Sequence, residues 1–116
     1  MTITRIQPGK RMSAAVVHGN TVYLAGQVAS DPNATIEVQT RQVLDTIDAL
    51  LAQAGTSKSK LLSVQVILAN IGDFAAMNSV YDAWIDPANP PARACIEARL
   101  AAPAYKVEII AVAARD

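Results

Sequence analysis

The sequence has only one cysteine and one histidine among its 116 residues. A single cysteine excludes an internal disulfide and fits a reducing compartment. One cysteine and one histidine are also too few for the ligand sets that hold zinc, so we expect no metal. Nucleotide-binding glycine loops and the GxSxG pattern of serine hydrolases are missing too. The common sequence signatures of catalysis are therefore absent.

Net charge is absent as well, because Lys and Arg number 10 and Asp and Glu also number 10. Without a basic surplus or a run of like charge, nothing indicates binding to nucleic acid or to a membrane surface. No apolar run approaches the roughly 18 residues that a membrane span needs. The N-terminal segment Met1–Pro8 has no apolar stretch typical of a signal peptide. We expect a cytoplasmic location.

Apolar residues are plentiful instead, at 52% of the chain. A chain of this length forms one domain, here residues 1–116, and buries roughly two-thirds of the surface that it exposes when unfolded. The interior of so small a domain cannot hide all of this apolar surface. We therefore expect a subunit interface and a homo-oligomer.

The first part of the chain predicts an edge strand followed by a hairpin. Thr2–Ile6 alternates weakly and is followed by Pro8-Gly9, which ends a short strand. Ala14–His18 and Thr21–Ala25 are apolar runs on either side of Gly19-Asn20. These two residues have the composition of a two-residue hairpin turn.

Two segments predict helices. The apolar residues of 34–54 recur with a period of 3.6, and Gly55 stands where glycine commonly ends a helix. A second helix is expected to begin with Asp73 as its N-cap and to end before Asp86-Pro87. The predicted apolar stripe of this second helix is Phe74, Met77, Tyr81, Trp84 and Ile85.

Three further strands are expected at Leu61–Ala69, Ala92–Leu100 and Tyr105–Ala114. In the first of them, Leu62 and Val64 are predicted to share a face with Val66 and Leu68. The last strand is apolar on both faces, which predicts burial on both. The order β, β, β, α, β, α, β, β contains only two helices, which are too few to cover both faces of a six-stranded sheet. The helices should cover one face and leave the other to a partner subunit.

Two charged residues stand in apolar surroundings. Arg93 follows Pro90-Pro91 at the start of a strand, and Glu108 is embedded in the last strand. On spacing alone, Arg93 is a strand-start charge, paired or exposed, and Glu108 is a solvated residue beside Lys106. An arginine beside an apolar pocket also suits carboxylate recognition, because its planar fork makes two parallel charge-assisted hydrogen bonds.

The other polar candidates have ordinary explanations. His18 ends a hairpin strand and is a surface turn residue rather than a base. Cys95 has no paired histidine and is expected to be a half-buried strand thiol. Glu97 and Arg99 alternate on the polar face of their strand.

Four segments together resemble the Rid family, the YjgF-type reactive intermediate deaminases. They are Gly19–Gln27, Asp73–Asn78, Pro91–Cys95 and Lys106–Ile109. The match runs in order through nearly the whole chain, and Pro-Ala-Arg-x-Cys followed by Lys-Val-Glu-Ile is its most specific part. The resemblance implies a chorismate-mutase-like α+β fold with a six-stranded mixed sheet and two helices on one face. It also implies a homotrimer with three clefts between subunits.

The resemblance further implies hydrolysis of reactive 2-imino or 2-enamino acids to 2-oxo acids and ammonia, with no metal or organic cofactor. By position, Arg93 matches the arginine that holds the substrate carboxylate. Glu108 matches the glutamate proposed to position water and handle protons. Cys95 and Gly26 match residues whose backbone lines the cleft, and Asn78 matches a helix residue near it.

Two positions depart from the best-known members of the family. Met12 stands where they carry a tyrosine, and Ala25 stands where they carry a serine, so the cleft becomes more apolar. This change favours a larger or more hydrophobic imino acid, or a different small carboxylate. It also keeps open a non-catalytic module that binds or senses a 2-oxo acid. Ribonuclease activity, known for some relatives, is disfavoured by zero net charge and few aromatic residues; a chaperone-like role remains compatible with the apolar surplus.

Overall fold

Seven strands and two helices follow one another in the computed structural model, which describes residues 1–116. The elements are β1 (Ile3–Pro8), β2 (Ser13–His18), β3 (Thr21–Leu24), β4 (Gln27–Val28), α1 (Ile36–Gln53), β5 (Leu61–Leu68), α2 (Phe74–Trp84), β6 (Ala92–Glu97) and β7 (Val107–Ala114). Short 3-10 turns, Lys58–Lys60 and Ile71–Asp73, precede β5 and α2. Neither α-helix has the length and apolar character that crossing a membrane would require.

All strands belong to one mixed sheet, in the order β1-β2-β3-β7-β5-β6, with β4 paired to β7. Only β5 and β6 run parallel, and α2 connects them. The other strand pairs are antiparallel. The six predicted strands are all present. The additional β4 has two residues, which is too short for the alternation that identifies a strand in a sequence.

The predicted hairpin turn is confirmed. His18 pairs with Thr21, so Gly19 and Asn20 form a two-residue connection. Gly19 has a φ of +60°, a conformation that glycine adopts without a clash of Cβ. A positive φ at the first central position is the requirement of a type II′ turn, which matches the twist of the flanking strands.

Helix α1 is two residues shorter at its start and one shorter at its end than the predicted 34–54. Thr35 is its N-cap, and the Thr35 hydroxyl accepts a hydrogen bond from the backbone N–H of Val38 at 3.3 Å. Gly55 follows the C-cap residue Ala54, where the sequence places it. The apolar residues that α1 buries are Ile36, Val43, Leu44, Ile47, Leu50 and Leu51.

The start of α2 differs from the prediction in two respects. Asp73 occupies the N-cap position, but its side chain makes no capping hydrogen bond. Asn70 instead accepts from the N–H of Gly72 at 2.8 Å and caps the preceding 3-10 turn. Phe74 is 43% exposed and does not belong to the core, because it lies beside the edge of the sheet. The residues that α2 buries are Met77, Val80, Tyr81 and Trp84.

A bulge at the start of β5 corrects one predicted face. The pairing with β7 jumps from Leu61 opposite Ala113 to Ser63 opposite Val112. Leu61 is therefore buried, whereas Leu62 is 52% exposed. A strict alternation placed Leu62 in the core, and an extra residue in one strand breaks that alternation.

The loop between β6 and β7 is longer than expected, because β6 ends at Glu97 rather than Leu100 and β7 begins at Val107. Gln39 accounts for the later start of β7. Its side-chain amide is fully buried. The two N–H groups on Nε2 are shared among three backbone carbonyls, each 3.1 Å away, and Oε1 accepts the N–H of Lys106 at 2.9 Å. The end of the loop is thereby tied to the start of α1 rather than to a neighbouring strand.

The two faces of the sheet are unlike. Both helices pack on one face, as predicted, and close a core of 25 buried residues. In β7, alternate residues from Val107 onward are buried, whereas Ile110 and Val112 are only half-buried. These two side chains belong to the other face, which also carries Tyr23 and Ile96, exposed by 49% and 44%. In the single chain this second face, called the open face below, has no helix over it.

Candidate functional site

Arg93 lies on the helix side of the edge strand β6. It is aligned with Val64, a buried residue of β5. Its Nη1 donates a hydrogen bond to Oδ1 of Asn78 at 2.8 Å. Its guanidinium carbon lies 4.7 Å from the centre of the Tyr81 ring and 5.9 Å from the centre of the Phe74 ring. One face of α2 therefore fixes the position of the guanidinium group.

These helix residues occupy positions i, i+4 and i+7 of α2, which lie on one side of a helix. Sequence analysis identified Asn78 as a site residue and assigned Phe74 and Tyr81 to the core. That assignment is confirmed for Tyr81, which contacts Arg93 as well, and is wrong for the exposed Phe74. The regular spacing around Asn78 is the signal that would have grouped all three with the arginine.

Arg93 has no anionic partner in the chain. The one salt bridge of the protein joins Lys60 and Asp116. A guanidinium group has five N–H donors, and Asn78 accepts from only one of its nitrogens. The side chain is exposed, so its remaining donors are accessible. Arg93 is thus a fixed cation whose free N–H groups can bind an anion.

Tyr81 provides an uncharged support under this cation. Burial raises the pKa of the Tyr81 hydroxyl, and the positive charge of Arg93 opposes that shift. The phenol is therefore protonated at neutral pH, and Arg93 faces an aromatic ring rather than a phenolate. Such a cation–π contact contributes about 0.5–2 kcal/mol, more when water is excluded.

Glu108 projects from the open face of the sheet. It pairs with Ile67 of β5 and with Val28 of β4, whereas its neighbours along β7 are buried on the helix side. Its carboxyl group lies against the backbone of Gly26. A Cβ built on Gly26 would overlap Oε2 of Glu108 and would lie 2.9 Å from Cδ. The structure therefore brings together two of the predicted site residues, Glu108 and Gly26.

Lys106, which spacing places beside Glu108, makes no ion pair with it. Its Nζ donates to the carbonyl oxygen of Ala34 at 3.2 Å, and its backbone N–H donates to Gln39. Glu108 takes part in no salt bridge. The carboxylate is therefore as free of a counter-charge within the chain as the guanidinium of Arg93 is.

Arg93 and Glu108 do not meet within one chain. Through β5, Arg93 is aligned with Ala111, which is three residues from Glu108 along β7. Two strand spacings across the sheet and three residues along it separate their Cα atoms by about 14 Å. Their side chains also leave opposite faces of the sheet. A small molecule therefore cannot contact both side chains of the same chain.

Cys95 lies two residues beyond Arg93 on the same face of β6 and is half-buried. Burial raises the pKa of the Cys95 thiol, and the positive charge of Arg93 only partly opposes this. Because the thiolate is the nucleophilic form, a raised pKa makes this thiol a weak nucleophile at neutral pH.

Met12 lies in the loop between β1 and β2, and its side chain is 57% exposed. The loop is closed by a hydrogen bond from the N–H of Gly9 to the carbonyl of Met12 at 2.8 Å. Ala25 directly precedes Gly26, and its N–H donates to the carbonyl of Ala14 at 2.9 Å. Ala25 is thus the chain neighbour of the glycine that faces the Glu108 carboxyl group, whereas Met12 lies on the surface.

Two cavities adjoin Arg93. One of about 310 Å³ lies on the helix side, between the end of α2 and Pro90-Pro91. The other, of about 470 Å³, lies on the open face, where Gln65, Ala94 and Ile110 form its floor. Both are large enough for a small organic acid. A third cavity surrounds Arg99 in the β6–β7 loop and does not include Arg93. No group of three or more His, Cys, Asp or Glu side chains is arranged to hold a metal ion.

Comparison with known proteins identifies the family of this fold. A model of the family described as endoribonuclease L-PSP matches residues 2–115. The chain belongs to that family. A RutC family protein of Haemophilus influenzae is 47% identical over 117 residues, covering 97% of this chain and 98% of the relative. The RutC family protein YoaB of Escherichia coli K12 is 44% identical over 114 residues, covering 98% of this chain and 99% of the relative.

Solved structures of this family share the fold. A YjgF family protein from Neisseria meningitidis has a TM-score of 0.97 at 40% identity, covering 100% of this chain and 97% of that one. YyfA of the Rid family, from Yersinia pestis, has a TM-score of 0.89 at 30% identity, covering 97% and 99%. The resemblance to the Rid and YjgF proteins is confirmed. The predicted chorismate-mutase-like α+β fold, with two helices on a mixed sheet, is confirmed with it.

Proposed function

We propose that the protein hydrolyses reactive 2-imino acids, or their 2-enamino tautomers, to 2-oxo acids and ammonia. The observation that carries this proposal is Arg93, a cation fixed by Asn78 and Tyr81 and left without an anion. A substrate carboxylate in that place would form two parallel charge-assisted hydrogen bonds with the guanidinium fork. Membership of the family that contains the Rid and RutC proteins supports small-molecule chemistry of this class.

The cleft is proposed to form between subunits of a homotrimer, with Glu108 of the partner subunit completing it. About 14 Å and the thickness of the sheet separate Arg93 from Glu108 of the same chain. A neighbour packed by its open face can supply the missing carboxylate. The exposed apolar side chains of that face, among them Tyr23 and Ile96, favour such packing because they are unfavourable in water.

The reaction requires addition of water to C2 and loss of the nitrogen. Arg93 holds the carboxylate and so fixes C2, the electrophilic carbon. Glu108 accepts a proton from the attacking water and delivers it to the nitrogen, which gives a carbinolamine with the water oxygen on C2. Glu108 then accepts the proton of that new hydroxyl and delivers it to the nitrogen as the C–N bond breaks, leaving the 2-oxo acid and ammonia. One carboxyl group can serve both transfers, and no oxidant or reductant is needed. Holding water, base and imine in one cleft makes the attack effectively intramolecular.

The remaining predicted residues have supporting roles in this proposal. Asn78 orients the guanidinium. Cys95 contributes its backbone, because β6 is an edge strand and its outward N–H groups have no strand partner. Met12 adds apolar surface for the substrate side chain, and Gly26 contributes its backbone to the cleft.

The test generates 2-iminopropanoate or 2-iminobutanoate in solution and compares its decay in buffer, with the protein and with Arg93→Ala. The protein should accelerate the decay, and Arg93→Ala should lose roughly 2–5 kcal/mol of substrate binding. Arg41→Ala, on the exposed side of α1, is the matched control and should behave as the natural protein does. Decay no faster than in buffer, across several side-chain sizes, would overturn the proposal.

A second candidate is a non-catalytic module that binds a 2-oxo acid. It is favoured by Met12 and Ala25, which remove a phenol and a hydroxyl from the cleft while leaving Arg93 in place. Calorimetry separates the two candidates. Tight binding of a 2-oxo acid without turnover of any imine supports the binding module.

Cleavage of RNA, which the family description names, has less support. RNA binding depends on basic side chains at the phosphates, and this chain has equal numbers of acidic and basic residues. RNA cleavage that survives both Arg93→Ala and exhaustive purification would reverse that ranking.

A further inference from the structure

We infer that Gly26 is a positioning residue, and that its missing side chain determines where the Glu108 carboxyl group lies. The inference rests on the proposed role of Glu108 in proton transfer. It goes further by identifying what fixes the carboxylate and why the neighbouring position must be glycine.

The register of the sheet explains why these two residues are close. Val28 pairs with Glu108 and Gln27 pairs with Ile109, so Gly26 is the diagonal neighbour of Glu108 on the same face. A Cβ on Gly26 would overlap Oε2 of Glu108 and would lie 2.9 Å from Cδ and 3.3 Å from Cγ. The outer half of the glutamate side chain, not only its tip, occupies the space that any other residue would fill.

Backbone conformation does not require glycine at this position. The residues with positive φ are Gln7, Gly19 and Gly55, and Gly26 is not among them. Alanine can therefore adopt the backbone conformation of Gly26 without strain. What alanine cannot do is leave the carboxyl group of Glu108 where it lies.

The backbone around Gly26 is held on both sides and cannot easily retreat. The N–H of Ala25 donates to the carbonyl of Ala14 at 2.9 Å, and the side chain of Gln27 donates to the carbonyl of Ala25 at 2.9 Å. Glu108 is a flexible side chain with several rotamers, so it is the part that moves when the space is filled. Gly26→Ala should therefore preserve the fold and displace the carboxylate.

Displacement of a reacting group by about 1 Å can lower a rate by about 100-fold. Gly26→Ala should lower kcat by about this factor. KM should change little, because Arg93 still holds the substrate carboxylate. Gly9→Ala is the matched control, since a Cβ there meets only the Met12 carbonyl at an ordinary 3.5 Å. Its kcat and its melting temperature should equal those of the natural protein.

A double-mutant cycle tests whether Gly26 acts through Glu108. In a Glu108→Ala background the carboxyl group is gone, and adding Gly26→Ala should change the residual kcat by less than about twofold. An equal loss in both backgrounds would show that Gly26 acts through the fold or through direct contact with the ligand. Full activity of Gly26→Ala would overturn the inference as well.

Crystal structures of the natural protein and of Gly26→Ala provide a test that does not depend on activity. The inference requires the Glu108 carboxylate to move by about 1 Å or more while the backbone of 25–28 stays in place. A shifted backbone with the carboxylate unmoved would overturn it. Failure of the natural protein to hydrolyse any imine would overturn the proposed function alone, and the structural comparison would still decide the role of Gly26.

Discussion

The Nη1 atom of Arg93 and the Oδ1 atom of Asn78, 2.8 Å apart, join the edge strand of the sheet to the second helix. This hydrogen bond fixes the orientation of the planar guanidinium group, because it occupies one N–H donor and leaves other donors of the exposed side chain for a ligand. A neutral amide is the partner best suited to this task. It fixes the orientation of the cation and leaves its charge available.

Replacing that amide by a carboxylate should therefore impair binding more than removing it. Asn78→Asp places an anion on the guanidinium, which then competes with the substrate carboxylate. Asn78→Ala only removes the hydrogen bond that orients the guanidinium group of Arg93. We expect the Kd for a 2-oxo acid to rise about 10-fold in Asn78→Ala and by a larger factor in Asn78→Asp, since a hydrogen bond to a charged group contributes about 1.5–3 kcal/mol. Titration calorimetry measures both, and unchanged affinity in Asn78→Asp would contradict the role of Arg93.

Cys95 should be unreactive at neutral pH despite its place beside Arg93. The pKa of its thiol is raised by burial, so the thiolate fraction at pH 8 is lower than that of a free cysteine, and it grows only at higher pH. Alkylation by iodoacetamide, followed by mass spectrometry from pH 7 to 10, should be slower than for glutathione at each pH. Cys95→Ser should retain turnover, because only the backbone of this residue is proposed to face the substrate. Rapid alkylation at pH 7, or loss of turnover in Cys95→Ser, would contradict this account.

Gln39 should be more important for stability than any surface residue of α1. It is fully buried, and its amide bonds to four backbone groups in two separate segments, 32–34 and 104–106. Gln39→Leu removes all four hydrogen bonds while nearly preserving volume, and we expect a loss of about 3 kcal/mol or more in the free energy of unfolding. Urea denaturation measures this loss. Gln42→Leu, which removes a single hydrogen bond to Asp31, is the control and should cost about 1 kcal/mol.

Local patterns predicted most of this fold. The turn at Gly19-Asn20 and the helix that ends before Gly55 each depend on a few neighbouring residues, and both occur where the sequence places them. The errors arose where distant contacts decide. The bulge that exposes Leu62 depends on pairing with β7, and the exposure of Phe74 depends on its position beside the sheet edge.

The candidate site shows the same division. The sequence could single out Arg93 and Glu108, because each is a charge in apolar surroundings. It could not show that β5 lies between their strands or that their side chains leave opposite faces, since both facts follow from strand order and register. Nor could it show that Tyr81 supports the guanidinium, because a tyrosine on an apolar helix stripe is equally typical of a core.

The separation of Arg93 and Glu108 within one chain predicts complementation between inactive subunits. Arg93→Ala and Glu108→Ala should each lose activity when assayed alone. If each cleft combines Arg93 of one subunit with Glu108 of the partner subunit, mixed trimers restore an intact pair wherever the two variants meet in the correct order. If equal amounts of the two variants assemble at random, about one quarter of the clefts are intact. The subunit that supplies residue 93 carries the natural arginine with a probability of one half, and the subunit that supplies residue 108 carries the natural glutamate with the same probability. Co-refolding the two variants, with separately refolded variants mixed afterwards as the control, should therefore recover about 25% of the natural rate. If the co-refolded trimers recover almost no activity, either both residues of a cleft come from the same chain or one of the two residues does not belong to the cleft.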